Sequence, residues 1–197
     1  MMKKDIIVNT VKNNNGILKV SDLRDKDISG SYLFEYIKEN GFIRVSKGIY
    51  LSPEFWEDPI YLIQLRYREI VFSHETALYL LDLAEREPLR YSVTAKAHYN
   101  VKSLYKRGIQ VHTVKKELFG LGITEVKTPM NNTVKCYNAE RTLCDIVRNR
   151  NDTDKQDLNA AMKNYVGQTR KNIPQLMRYA REFRVEKVIR QYMEVLL

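Results

Sequence analysis

The chain has 197 residues, of which 44% are hydrophobic and 29% are charged. This composition is typical of a globular protein with one or two domains, and it excludes an intrinsically disordered chain. The formal net charge of +9 favours a polyanionic partner, nucleic acid before an acidic protein.

The sequence contains no long uncharged apolar run and no signal-peptide pattern, so we expect a cytoplasmic protein without a membrane span. Its two cysteines, Cys136 and Cys144, form no CxxC pair and have no paired histidines nearby. Neither a disulfide framework nor a zinc site is therefore expected. We expect reduced thiols, no bound metal and no cofactor.

Residues 1–55 contain a regular succession of short predicted elements. Apolar spacings of three and four indicate helices, and serines stand where helix N-caps are expected. Asparagine and glycine follow the helices, because both residues tolerate the left-handed conformation of a helix end. The predicted elements are a helix at 3–14, an extended piece at 17–20, a helix from Ser21 to about Lys26, a helix from Ser29 to Glu39 and a hairpin at 42–51.

Helix, short strand, helix, helix and hairpin is the order of a winged helix-turn-helix. In that fold the third helix enters a groove of the DNA and the hairpin forms the wing. Arg44 and Lys47 flank the centre of the predicted hairpin, where their charges would reach phosphates beside the groove. Hairpin tips also carry charge for solubility, so these cations are informative through their position beside the third helix.

The predicted third helix offers an apolar and a polar side. Leu33, Phe34 and Ile37 are spaced to pack inward. Hydroxyl and amine groups on the other side suit contacts with phosphates and base edges. Glu35 and Glu39 would repel phosphate, so an ordinary solvated face is the alternative. Our DNA-binding candidates are Ser29, Ser31, Tyr32, Lys38, Arg44 and Lys47.

A proline-containing linker follows the hairpin, so we expect two domains, at 1–55 and 56–197. In the second domain, helices are predicted at 59–69 and 74–83, and short strands between about 91 and 137. The whole chain is thus predicted to be of the α+β class, with a mixed α/β C-terminal domain that ends in a helical bundle. The bundle helices are predicted at 138–149, 154–166, 172–183 and 185–196.

A histidine followed by a glutamate, His74-Glu75, resembles a catalytic pair at first sight. Neighbouring residues on a helix point about 100° apart, however, and no second histidine follows at a metal-binding spacing. No nucleotide-binding loop, nucleophile elbow or zinc-protease motif occurs in the sequence. We therefore expect a protein that is not an enzyme.

The predicted helix at 138–149 carries a dense set of charges. Arg141 and Asp145 are four residues apart, which allows an ion pair on one helix face, and Glu140 lies beside them. If the pair is buried, it fixes the orientation of the helix or forms part of a site. If it is exposed, it is one of several ion pairs on a solvated helix surface. We take Glu140, Arg141 and Asp145 as interaction candidates.

The last two predicted helices carry a recurring set of cations. Arg178, Arg181 and Arg184 follow one another at intervals of three, so they share a face on which DNA or an acidic protein could dock. The alternative is a solvated face. Arg178 and Arg181 complete the interaction candidates. The basic set is Lys163, Arg170, Lys171, Arg178, Arg181, Arg184, Lys187 and Arg190.

The N-terminal winged-helix segment that ends in GFIRVSKGIY, together with three later stretches, resembles the AbiEi family of bacterial antitoxins, and the resemblance covers nearly the whole chain. This family belongs to type IV toxin–antitoxin systems of abortive phage infection. The matching stretches are GFIRVSKGIY at 41–50, FSHETALYLLDL at 72–83, NAERTLCDIVRN at 138–149 and DLNAAMKNYVGQTRKNIPQLMRYAREFRVEKVIRQYMEVL at 157–196.

The resemblance implies an N-terminal winged helix that binds inverted repeats in its own promoter and represses the operon. It implies a C-terminal domain that counters an AbiEii-like nucleotidyltransferase toxin, without a stable complex with it. DNA contact would fall on the third helix, Arg44 and Lys47. Two alternatives remain: an enzyme that modifies the toxin, and an interaction module whose winged helix does not bind DNA.

Overall fold

A computed structural model describes residues 2–196 and divides the chain into two compact units, Met1–Arg68 and Glu69–Leu197. The division follows Arg68 rather than residue 55. Leu62 and Leu65 of the helix after the linker pack into the same apolar cluster as Val45 of the hairpin, which places this helix in the first unit.

Unit 1 contains a three-stranded antiparallel sheet and three α-helices within its described residues. In the sheet, β3 lies between β1 and β2. The helix predicted from Ser29 is present, and its N-cap is Ser29 as expected. The elements are α1 (Lys3–Asn13), β1 (Ile17–Lys19), a 3₁₀ helix (Val20–Leu23), α2 (Gly30–Glu39), β2 (Ile43–Ser46), β3 (Ile49–Leu51) and α3 (Pro59–Arg66).

The helix predicted from Ser21 to Lys26 is a 3₁₀ helix that ends at Leu23. Leu23 is the one apolar residue in the stretch SDLRDKD, and it is buried. A single apolar side chain cannot form the stripe that holds an amphipathic helix against a core.

The sheet of unit 1 has an apolar cluster on each face. Tyr50 packs with Leu33 and Ile37 of α2. Ile49 and Leu51, on either side of Tyr50 in β3, pack with α3 on the opposite face. The alternation of side chains along a strand thus lets one short strand contribute to both clusters.

Unit 2 contains a five-stranded mixed sheet and seven α-helices within its described residues. The strand order is β6-β5-β4-β8-β7, in which β5 and β6 are parallel, β4 and β8 are parallel, and the other pairs are antiparallel. The elements are β4 (Val71–Phe72), α4 (His74–Leu80), β5 (Ser92–Lys96), α5 (Lys102–Tyr105), β6 (Gln110–Val114), α6 (Lys116–Phe119), β7 (Ile123–Lys127), β8 (Thr133–Tyr137), α7 (Ala139–Arg148), α8 (Lys155–Gly167), α9 (Ile173–Glu182) and α10 (Glu186–Leu196).

The core of unit 2 lies among its helices, and α7 is the most buried of them. Eight of the ten residues of α7 are buried, including Leu143 and Ile146, which pack with α8, α9 and α10. Across residues 2–196 the chain is thus a mixed α/β protein of two sheets and ten α-helices, which is consistent with the α+β class. No helix in this range is long and apolar enough to cross a membrane.

Candidate nucleic-acid interface

Helix α2 presents an exposed polar side. The hydroxyl of Ser29 accepts a hydrogen bond from the backbone N–H of Tyr32 at 3.3 Å, so this side chain is already used as the helix cap. Ser31, Tyr32 and Lys38 are exposed, as the candidate DNA-binding residues of this helix require. Glu35 is exposed with them, so the surface is not uniformly favourable to phosphate.

Phe34, expected to pack inward, is 56% exposed. It follows Leu33, which is buried, and a step of one residue turns the side chain by about 100° around the helix axis. Helix α2 therefore carries an exposed apolar side chain in addition to its polar ones. The buried stripe of α2 contains Leu33 and Ile37, which are four residues apart, and Phe34 lies outside it.

The hairpin of β2 and β3 is held in place from two sides. The carbonyl oxygen of Gly48 in its turn accepts a hydrogen bond from the N–H of Val20 at 2.9 Å. On β2, the carbonyl oxygen of Val45 accepts a hydrogen bond from Nε of Arg66 at 2.8 Å. These contacts restrain the hairpin that carries Arg44 and Lys47, both of which are exposed.

Strand pairing places Arg44 on the α2 side of the sheet. Arg44 lies opposite Tyr50 in the antiparallel ladder, and opposed residues project from the same face. Tyr50 packs in one cluster with Leu33 and Ile37 of α2. The Arg44 charge and the exposed side of α2 therefore belong to the same side of unit 1.

In unit 2, the candidate residue Arg141 lies in the interior and is 0% exposed. Its Nε donates to the carboxylate of Asp145 at 3.0 Å, and its Nη1 donates to the carbonyl oxygens of Leu118 and Leu121 at 2.7 and 2.9 Å. Its guanidinium also lies 4.0 Å from the ring centroids of two aromatic side chains. These aromatic residues are Tyr137 and Phe183.

Asp145 and Glu140 are buried as well. Burial raises the pKa of Asp145 to about 6, although the charge of Arg141 acts in the opposite direction. The carboxylate of Glu140 accepts hydrogen bonds from the hydroxyl of Tyr165 at 3.0 Å and the N–H of Asn172 at 3.1 Å. The structure thus brings Glu140, Arg141 and Asp145 together as bonded interior groups, not as surface contacts.

Two histidines stack on each other in unit 2, an arrangement that the sequence did not indicate. The rings of His74 and His112 have centroids 3.4 Å apart and are tilted by 13°. Burial, and then the neighbouring His112, Arg141 and Arg148, lower the pKa of His74 well below its ordinary value. Burial also lowers the pKa of His112. Both rings are therefore neutral at pH 7.

The cations of α9 and α10 are exposed. Arg178 lies with its guanidinium 5.3 Å from the ring centroid of Tyr179, and Arg181 pairs with Glu186 at 3.3 Å. Arg184, Lys187 and Arg190, which were not among the interaction candidates, line a groove together with Arg181 and Glu186. Their regular spacing in the sequence was the signal that could have included them.

No cluster of three or more potential metal ligands occurs among residues 2–196. Cys136 and Cys144 are free and buried, and burial raises the pKa of both thiols. Neither thiol is therefore positioned to react or to bind a soft metal ion.

A scan against protein-family models and a search of curated proteins gave no match. Among solved structures, the chain is similar to the RV2827C protein from Mycobacterium tuberculosis, known from its crystal structure. The TM-score is 0.61 at 11% sequence identity, over 90% of this chain and 70% of that one. At this identity the likeness shows a shared fold and nothing about function.

Proposed function

We propose that the chain is a DNA-binding autorepressor and antitoxin of the AbiEi type, with a winged helix in unit 1. One observation carries the DNA-binding part: the strand register puts the exposed Arg44 on the side of the sheet against which α2 packs. A capped helix with exposed Ser31 and Lys38, beside a hairpin with two cations, is suited to a groove and its flanking phosphates.

The antitoxin part rests on the sequence resemblance, and the fold gives its motifs an arrangement compatible with a separate domain. The stretch 72–83 contains α4, and the stretch 138–149 contains α7, and these helices contribute to the same core of unit 2. The buried members of these motifs stabilise the unit. A contact with an AbiEii-like toxin, or with what that toxin acts on, would therefore use exposed residues such as Arg178 and Arg181.

The test of DNA binding is the salt dependence of operator affinity. We expect the full chain to bind duplex DNA from upstream of its own reading frame, and Arg44→Ala/Lys47→Ala to weaken that binding. Each lost phosphate contact lowers the slope of log K against log salt by about 0.9, so the double variant should lose about 1.8.

The matched control is Lys4→Ala/Lys12→Ala, which removes two exposed cations from α1. It removes the same formal charge and should change the slope much less. Equal slopes for the parent and the hairpin variant, with both proteins folded, would exclude the hairpin as a wing. A shared loss in both double variants would mean that only net charge matters.

A further inference from the structure

A cation occupies every third position between residues 178 and 190. The series begins in α9, which ends at Glu182, and continues into α10, which begins at Glu186. A spacing of three within one long helix would wind the charges around its axis, because a turn takes 3.6 residues. The bend between the two helices instead gathers most of the series on one surface. The series is Arg178, Arg181, Arg184, Lys187 and Arg190.

Four of these cations line a shallow open groove of about 510 Å³. The carboxylate of Glu186 also lines it and accepts hydrogen bonds from Nε of Arg181 at 3.3 Å and Nη2 of Arg190 at 2.9 Å. These bonds lower the pKa of Glu186, so it stays ionised at neutral pH and fixes two guanidinium groups. The groove therefore holds one carboxylate against four cations, and each bonded guanidinium keeps further N–H donors.

Arg184 stands at a position where glycine is the usual residue. The N–H of Val185 bonds to the carbonyl of Ala180 at 2.8 Å, and the N–H of Arg184 bonds to that of Arg181 at 3.0 Å. This is the Schellman pattern of a helix end, and its left-handed residue is Arg184, with φ of 57°. Left-handed backbone is unfavourable for a residue with a Cβ, so the local fold by itself would prefer glycine.

We propose that this groove, which we call the α9–α10 groove, binds the phosphodiester backbone of nucleic acid, independently of α2 and the hairpin. We assign to the strained Arg184 the role of completing the row of cations with its guanidinium. Arginine forks bind phosphate oxygens in pairs, and several cations on one surface favour a polymer that carries one charge per about 3.4 Å of each strand. Glu186 already supplies a carboxylate between Arg181 and Arg190, so we assign the remaining N–H donors of the groove to phosphate rather than to the carboxylates of an acidic protein.

The test uses the full chain and Arg184→Gly. Glycine removes the charge and also relieves the left-handed strain, so we expect a higher Tm together with weaker binding to non-operator duplexes. Fluorescence anisotropy against salt should show a slope smaller by about 0.9. A substitution that stabilises the fold cannot weaken binding by unfolding it. Lys163→Ala, which removes an exposed cation of α8 in the same unit, is the matched control and should keep the parental slope.

Each variant is measured in the parent and in the Arg44→Ala/Lys47→Ala background, on duplex DNA, duplex RNA and poly-glutamate. A smaller salt slope for Arg184→Gly in both backgrounds supports the groove. The duplex whose binding weakens more, DNA or RNA, is then identified as the ligand of the groove. A parental slope for Arg184→Gly on both duplexes overturns the inference and leaves the hairpin proposal intact. Poly-glutamate bound as tightly as the duplexes, and weakened equally by Arg184→Gly, overturns the assignment to nucleic acid.

Discussion

Gly122 shows how a single missing side chain makes room for a buried charge. It has φ of 79°, and a Cβ built there would lie 2.6 Å from Cβ of Arg141 and 2.8 Å from Oδ1 of Asn138. Both neighbours are fixed, because Arg141 is bonded in the core and Oδ1 of Asn138 caps α7 by accepting from the N–H of Arg141. Glycine is thus required here for space as well as for backbone conformation.

We expect Gly122→Ala to lower the free energy of unfolding by about 2–5 kcal/mol, as the sum of left-handed strain and overpacking. Gly108→Ala is the matched control. Gly108 has φ of 73°, but nothing lies within 4 Å of its added Cβ. This control should lose only the conformational part, about 1–2 kcal/mol. Equal losses in urea denaturation of the two variants would contradict the steric role of Gly122.

Single residues also show where prediction from the sequence stops. The spacing of Arg141 and Asp145 predicted their pairing, and the distance of 3.0 Å confirms it. Spacing could not reveal that the pair is buried, because the carbonyl oxygens of Leu118 and Leu121, which accept hydrogen bonds from Nη1 of Arg141, come from a remote part of the sequence. Local patterns carry no information about such long-range partners.

At the scale of elements, those with strong end signals were predicted best. Helices α2 and α7 begin at capping residues, Ser29 and Asn138, whose side chains accept the expected backbone hydrogen bonds. Strand β4 was missed. It has two residues, Val71 and Phe72, and it is a strand only because β5 and β8 pair with it.

The two stacked histidines come from α4 and β6. His74 begins α4 with φ of 50°, and His112 lies in β6, where its Nδ1 is 3.1 Å from Nδ2 of Asn149. The charges around His112 differ from those around His74, since Glu75 and Asp152 favour its protonation while burial opposes it. The stacked arrangement is more stable when both imidazole rings are neutral than when one of them is protonated.

Folding lowers the pKa of both histidines, so there is a pH range in which the unfolded chain binds protons at these residues and the folded chain does not. Stability from the pair is therefore fully present above the unfolded pKa of about 6.5 and falls as the pH drops towards the folded values. For His74, whose pKa is lowered well below its ordinary value, the loss approaches about 1.4 kcal/mol per pH unit. The raised pKa of Asp145 has the opposite sign, because it favours the folded state at low pH.

We expect His74→Asn to flatten the decline of unfolding free energy between pH 7 and pH 5, since asparagine tolerates positive φ and does not titrate. The contribution of Asp145 is common to both proteins and cancels in the comparison. His98→Asn is the control, because His98 is exposed and also has positive φ, at 69°. An unchanged pH profile for His74→Asn would show that the stack is not the sensitive group.

At the scale of the whole molecule, each unit has a core of its own. Leu33 and Tyr50 belong to a cluster of unit 1, and Leu143 and Ile189 belong to a cluster of unit 2. The sequence predicted two domains but placed the boundary too early to include α3. The proline-containing linker indicated the earlier boundary, whereas Leu62 and Leu65 of α3 pack with Val45 of the hairpin, a contact that linker composition does not reveal.

We expect residues 69–197, produced alone, to unfold in one cooperative transition. On the proposed function, this fragment should still relieve the growth arrest caused by an AbiEii-like nucleotidyltransferase, while sequence-specific operator binding is lost. Circular dichroism during thermal unfolding and a co-expression growth assay measure the two properties. A folded fragment without protection would assign the antitoxin function to the complete chain, and a fragment without a cooperative transition would contradict independent folding.

The hydrogen bond from Arg66 to the carbonyl oxygen of Val45 has a consequence for assembly. Strand β2 is an outer strand of its sheet, and free backbone groups on such a strand invite a foreign strand to join it. A guanidinium that already occupies this carbonyl blocks one of the attachment points. A second copy of the chain is therefore less able to extend the sheet at this point of β2, and the exposed cations Arg44 and Lys47 of the hairpin stay accessible.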